Sequence, residues 1–452
     1  MSDESQPGST PDDFGLDLSR LVGMFGAGDG PVNWQVAREV ADWTAAGGDV
    51  ATPAGPGGPV GAATAGFGGL GAAAALPEEA PVDEADASQL ADLAAAAQTA
   101  VVAETGLSAV FGTGTLAVGR RRWARRHLDS LRPVLEALAT TLVRDGFGLG
   151  TGDEDGSDLE IEIDPELADQ LGQLGIPSGG LDAAQLSQLM EMLAPALLGV
   201  QAGSMVGHLA THAFGQYDLP LPVTGEPTLL FVVENIDAFE SDWSLERDDL
   251  RYWVALHEVV HAAVRSVTWV RSHLIELATE FVSGYRMDPE ALESSLDVAG
   301  LDPTDPSTIP AALGDPQKLL DAMRTPEQDA TLSRLSDLTA VLEGYADLQL
   351  ERIGAPLIPS FARIAEAMKR HRVERGEAER FIERLLGVGV QRADYERGEA
   401  FCRGVVERAG HDGLHRLWER PGHTPTRNEL EAPGLWLARI DLPDDGDRPE
   451  PA

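Results

Sequence analysis

Residues 252–267 read YWVALHEVVHAAVRSV, and no other stretch constrains the chain as much. Residues 248–267 contain no glycine or proline. Leu250, Trp253, Val254, Leu256, Val259 and Val260 make the run apolar and predict a helix. Yet His257, Glu258 and His261 sit in its middle. Three ionisable groups in an apolar helix are costly unless they share a ligand or one another. Residues i and i+4 lie on one helix face, so both imidazoles can reach a single ion. Neutral imidazoles leave the charge of a zinc ion uncancelled. Glu258, beside the first histidine and not itself a ligand, is placed to take a proton from water. The plain alternative is two core histidines bonded to backbone, with Glu258 at a helix edge.

A catalytic zinc wants a third protein ligand and an open position. The pattern with a glycine and a further histidine after the motif fails, because Val264 and Val267 stand there. Two glutamates remain. Glu280, in IELATEFVSGY, follows His261 at a spacing that some glutamate-ligated zinc peptidases use. Glu343, in VLEGYADLQL, is one helical turn from Asp347, so both carboxylates share a face. Glu343 could ligate while Asp347 accepts the outer N–H of a ligand histidine. Glu343 is preferred because it explains two acids in one apolar helix; Glu280 is the alternative third ligand.

The rest of the chain frames this segment. Residues 1–30 are acidic and polar, with weak apolar periodicity, and predict a disordered start. Residues 31–46 predict a short amphipathic helix, and 47–83 a flexible Gly/Ala/Pro insert. A largely helical catalytic domain is expected over 84–440, with TLLFVVENI (228–236) as its strongest strand signal, and 441–452 as an acidic tail. The 74 acidic against 34 basic residues, net charge −40, argue against nucleic acid or anionic lipid as partners. Cys402 is the sole cysteine, which excludes an intrachain disulfide. The start lacks the features of a signal peptide, and no apolar run reaches a membrane span. A soluble cytoplasmic protein is the expectation.

Other candidates have simpler readings. His208 and His212 are also i, i+4, but no acid lies between them, so helix packing is preferred to a second metal site. Asn235 could bind a substrate backbone, though a capping role is more common there. Tyr345, between Glu343 and Asp347 in sequence but on a different helix face, could still serve a transition state; His273 is given a structural role, and His411, His415 and His423 none. The arginines of GRRRWARRHLD should pair with the protein's own carboxylates.

Several blocks give the chain a family likeness: GPVNWQVAREVA, LLGVQAGSMVGHLATHAFGQYDLPLP, LLFVVENIDAF, LRYWVALHEVVHAAV, WVRSHL, LEGYADLQLER and YERGEAFCRGVVERAGHDGLHRLWERPGHTPTRNELEAPGLWLARI. In this order they resemble a prokaryotic family of zincin-like zinc-dependent metalloproteases, also grouped as hydrolases, one branch of which is associated with deazaflavin-coenzyme biosynthesis. The likeness runs from about residue 30 to 440. The long insert and the acidic ends depart from it. The resemblance implies a mainly α, zincin-like fold with a small β element beside the H-E-x-x-H helix. It carries His257, Glu258 and His261 over directly, and E-G-x-x-D onto Glu343 and Asp347. The expected activity is zinc-dependent hydrolysis of a peptide or protein. The alternatives are a non-peptidase hydrolase or processing factor in coenzyme biosynthesis, or a non-catalytic scaffold.

Overall fold

Helix-forming segments with built-in caps dominate the chain, and the computed structural model describes residues 30–48, 79–109, 114–146, 183–224, 228–286, 323–373, 377–389 and 392–442. The expected disordered start, most of the 47–83 insert and most of the acidic tail lie outside these residues. In chain order the elements are α1 (Trp34–Ala45), α2 (Glu84–Thr105), β1 (Thr115–Val118), α3 (Arg120–Gly146), α4 (Ala183–Ala210), β2 (Leu229–Val232), α5 (Val233–Trp243), α6 (Arg247–Arg265), α7 (Thr268–Ser283), α8 (Pro326–Gly354), α9 (Phe361–Val373), α10 (Glu377–Leu385), α11 (Arg392–His415), α12 (Arg427–Glu431) and α13 (Pro433–Ile440). Among the described residues no helix is long and apolar enough to cross a membrane.

The caps follow from residue type. Asn33 accepts from the backbone N–H groups of Gln35 and Val36 and starts α1. Thr325 and Gln328 form a reciprocal capping box on α8, with Pro326 at its first position. At the end of the expected insert, Glu79 accepts from the first N–H groups of α3, those of Arg121 and Arg122. The arginine-rich start of α3 pairs with the protein's own acids: Arg120 with Glu234, Arg121 with Glu79 and Arg125 with Asp42.

The small β element is a parallel pair, β1 with β2, running from Thr115↔Leu229 to Val118↔Val232. The strand expected over 228–236 therefore stops at Val232. Four residues exhaust the pairing partner, and the chain turns into α5 at Val233.

Helix α6 is the axis of the molecule. It packs against α2, α5, α7, α8, α9 and β2. Arg251, wholly buried, ties it to α2 through Asp86 (2.7 Å) and Gln89 (2.6 Å), and to α5 through Asp237 (2.9 Å). Helix α8 is held to α11 by backbone contact: a Cβ at Gly398 would overlap the Ala340 carbonyl. That crossing places the middle of α8, including Glu343, against α6.

Candidate metal centre

The α6 face that carries His257 and His261 is buried in full. His257 is 3 % exposed, Glu258 0 %, His261 1 % and Glu343 5 %. The two imidazoles lie 4.5 Å apart between ring centroids. His261 Nε2 is 3.8 Å from Glu343 Oε2 on α8, so packing joins these residues across 82 positions of sequence. His257 Nδ1 is 3.5 Å from Glu258 Oε1, and its ring stacks on Trp253, one turn earlier.

Glu258 is held from the segment after α4. Its Oε2 accepts the Tyr217 backbone N–H at 2.8 Å. Its Oε1 is buried and accepts no hydrogen bond among the described residues. Gly215 lies against the carboxylate, so closely that a Cβ there would meet Glu258 Cγ and Oε1 at 2.7 Å. Burial pushes the Glu258 carboxyl well above the usual range and the Asp218 charge adds to this; the Tyr217 N–H, Arg265 and the Gln216 N–H oppose it.

Arg265, at the end of α6 and one turn past His261, was not singled out by the sequence. Its i+4 spacing from His261 was the available signal. It donates to His261 Nδ1 at 2.6 Å and stacks over the Tyr217 ring at 5.1 Å. Burial pulls this guanidinium below its ordinary value, while Glu343, Tyr217 and Glu258 draw it back. Burial likewise pushes the Tyr217 phenol up to about 12. Because Arg265 takes the outer nitrogen of His261, a carboxylate accepting an outer N–H has only His257 to serve. Asp347 is half-buried on α8, and its charge reaches the Cys402 thiol, where it adds to the upward effect of burial.

Glu280 lies elsewhere. Its exposed carboxylate accepts from Thr331 and Arg334, at the start of α8. Those residues precede Glu343 by about 9 to 12 positions, or roughly 14 to 18 Å of helix. Asn235 serves the fold rather than a substrate, since it donates to the carbonyls of Ala210 and Ala213 and accepts from Arg120. Tyr345 packs edge-on to Trp418. His273 is half-buried, 3.7 Å from Glu276.

The donor set suits a divalent cation. The imidazoles of His257 and His261 and the carboxylates of Glu258 and Glu343 face one guanidinium, Arg265. With both carboxylates ionised the group is negative, and either a proton on Glu258 or a cation restores balance. The buried, undonated Oε1 of Glu258 is the sign of that deficit. The donor atoms are not drawn into a closed triplet, however. Among the described residues, the group whose ligand atoms all lie within 4.8 Å of one another is His208, His212 and Glu379.

Comparison with known proteins agrees with this chemistry. The family model described as zincin-like metallopeptidase matches residues 68–437. A solved structure from Chloroflexus aurantiacus, a "putative hydrolase with a novel fold", is similar in fold, with a TM-score of 0.52 and 24 % identity over 91 % of this chain and 99 % of that one. No curated protein matches the chain.

Proposed function

We propose, from the premise that the chain belongs to the zincin-like metallopeptidase family, that it is a zinc-dependent hydrolase acting on peptide amide bonds. The observation that carries this reading is the buried Glu258, whose Oε1 accepts no hydrogen bond beside two histidines and Glu343. His257, His261 and Glu343 would hold the metal. When bound, zinc supplies a Lewis acid that polarises the scissile carbonyl and makes water easier to deprotonate.

The protein's own groups do the rest. The Tyr217 N–H fixes Oε2 of Glu258, which leaves Oε1 to take the proton of the attacking water and return it to the leaving amine. Arg265 holds the His261 ring through Nδ1 and balances Glu343; because that bond leaves the proton of a neutral His261 on Nε2, a metal bound there would take the place of that proton, with the guanidinium offsetting the charge. Asp347 is assigned to His257, whose outer N–H it would accept.

The burial of all four groups favours a second reading. A folded protein substrate cannot reach a site that is at most 5 % exposed without movement of its cover. A small amide, such as a coenzyme precursor, needs less opening. The two readings separate in one assay: a mixture of unstructured peptides against a panel of small amides, with zinc supplied.

The site itself is tested by Glu258→Gln, which should retain zinc and lose a factor of roughly 10² to 10⁴ in turnover. Full turnover in that variant would remove the general-base role. Glu343→Ala should weaken zinc binding far more than Glu280→Ala; the reverse would move the third ligand to Glu280.

A further inference from the structure

His208 lies in the last turn of α4, and His212 follows in the turn after it. The sequence offers no acid between them. The fold supplies one from α10: the buried Glu379, 167 positions further on, with Oε1 3.1 Å from His212 Nδ1. The imidazole rings are 5.3 Å apart between centroids. One donor atom from each of the three lies within 4.8 Å of the other two. Two ligands on a tetrahedral zinc, each about 2.0–2.1 Å from it, stand roughly 3.3 Å apart, so the His212–Glu379 spacing is already that of a coordination edge.

The hydrogen bonds around His212 show what a cation would replace. The Thr211 hydroxyl donates to the His208 carbonyl at 2.7 Å, which leaves its oxygen to accept. His212 Nδ1 is 2.9 Å from that oxygen and 3.1 Å from Glu379. Both are acceptors, so Nδ1 carries a proton between them. His212 is 45 % exposed, which opens one side of the group to water.

We propose that His208, His212 and Glu379 form a second metal site, distinct from the α6 centre, that binds a first-row divalent ion of the zinc class. Two imidazoles and one carboxylate, with a position left to water, match the donor preference of such ions and not that of calcium or magnesium. The ion takes the place of the His212 Nδ1 proton, which leaves to solvent. It joins α10 to the end of α4, just before the segment in which Gly215 and Tyr217 hold Glu258.

The test uses the full chain, stripped with chelator, reloaded with zinc and freed of excess. Bound zinc is counted by elemental mass spectrometry, with cobalt(II) absorption as a second probe. The wild type should hold about two ions, His212→Ala and Glu379→Gln about one, and His261→Ala about one. Circular dichroism confirms that the variants fold. A wild type whose zinc is unchanged by both His212→Ala and Glu379→Gln overturns the proposal, as does a wild type that binds none. If the α6 centre instead binds no metal, the wild type holds one ion, lost in His212→Ala and kept in His261→Ala, and the second site stands.

Discussion

Replacing Gly215 by alanine probes the placement of Glu258 without touching a ligand. The added Cβ would meet Cγ and Oε1 of Glu258 at 2.7 Å, and Cδ closer still. Neither partner can retreat. The Gly215 carbonyl accepts from Trp123 Nε1 at 2.7 Å, its residue is bridged to Phe231, and Val232 N–H bonds the Phe214 carbonyl at 2.8 Å. Glu258 is wholly buried, with Oε2 fixed by Tyr217. Overpacking of this kind costs about 1–3 kcal/mol, and a rigid site belongs at the upper end. All three of the closest atoms belong to the Glu258 side chain beyond Cβ. In a Glu258→Ala background the same change should therefore cost less than about 0.5 kcal/mol, which gives a coupling of roughly 2 kcal/mol. Urea unfolding of the four proteins, followed by tryptophan fluorescence, measures the cycle. An equal penalty in both backgrounds would refute the contact and the assignment of Glu258 to that segment.

Two further outcomes follow from packing and burial. Gly398→Ala sets a Cβ against the Ala340 backbone carbonyl across the α8–α11 crossing, and should destabilise by about 3 kcal/mol, whereas Gly422→Ala, with nothing within 4 Å, should stay within about 0.5 kcal/mol in thermal unfolding. His127 is wholly buried, and burial lowers its pKa to about 4 from 6.5. The unfolded chain then binds a proton that the folded one refuses, so stability is whole above pH 6.5 and falls through the window down to pH 4. The full loss is about 3 kcal/mol, and His127→Gln should remove that part of the pH dependence of the unfolding midpoint.

Local rules made much of this protein legible. The helix of 247–265 follows from an apolar run free of glycine and proline. The shared face of His257 and His261 follows from the 3.6-residue period. Even Glu343 was marked out, because an acid in an apolar helix needs a partner. Such rules reach only a few residues along the chain. They could not show that Arg265 turns to His261 Nδ1, that the Tyr217 N–H and Gly215 lock Glu258, or that TLLFVVENI becomes a helix after Val232. Nor could they supply His208 and His212 with Glu379. Sequence determined which groups each helix presents and on which side. What those groups face was decided by the packing of α6 against α8 and of α4 against α10, because contacts between elements distant in the chain depend on how whole surfaces fit rather than on the period of either helix.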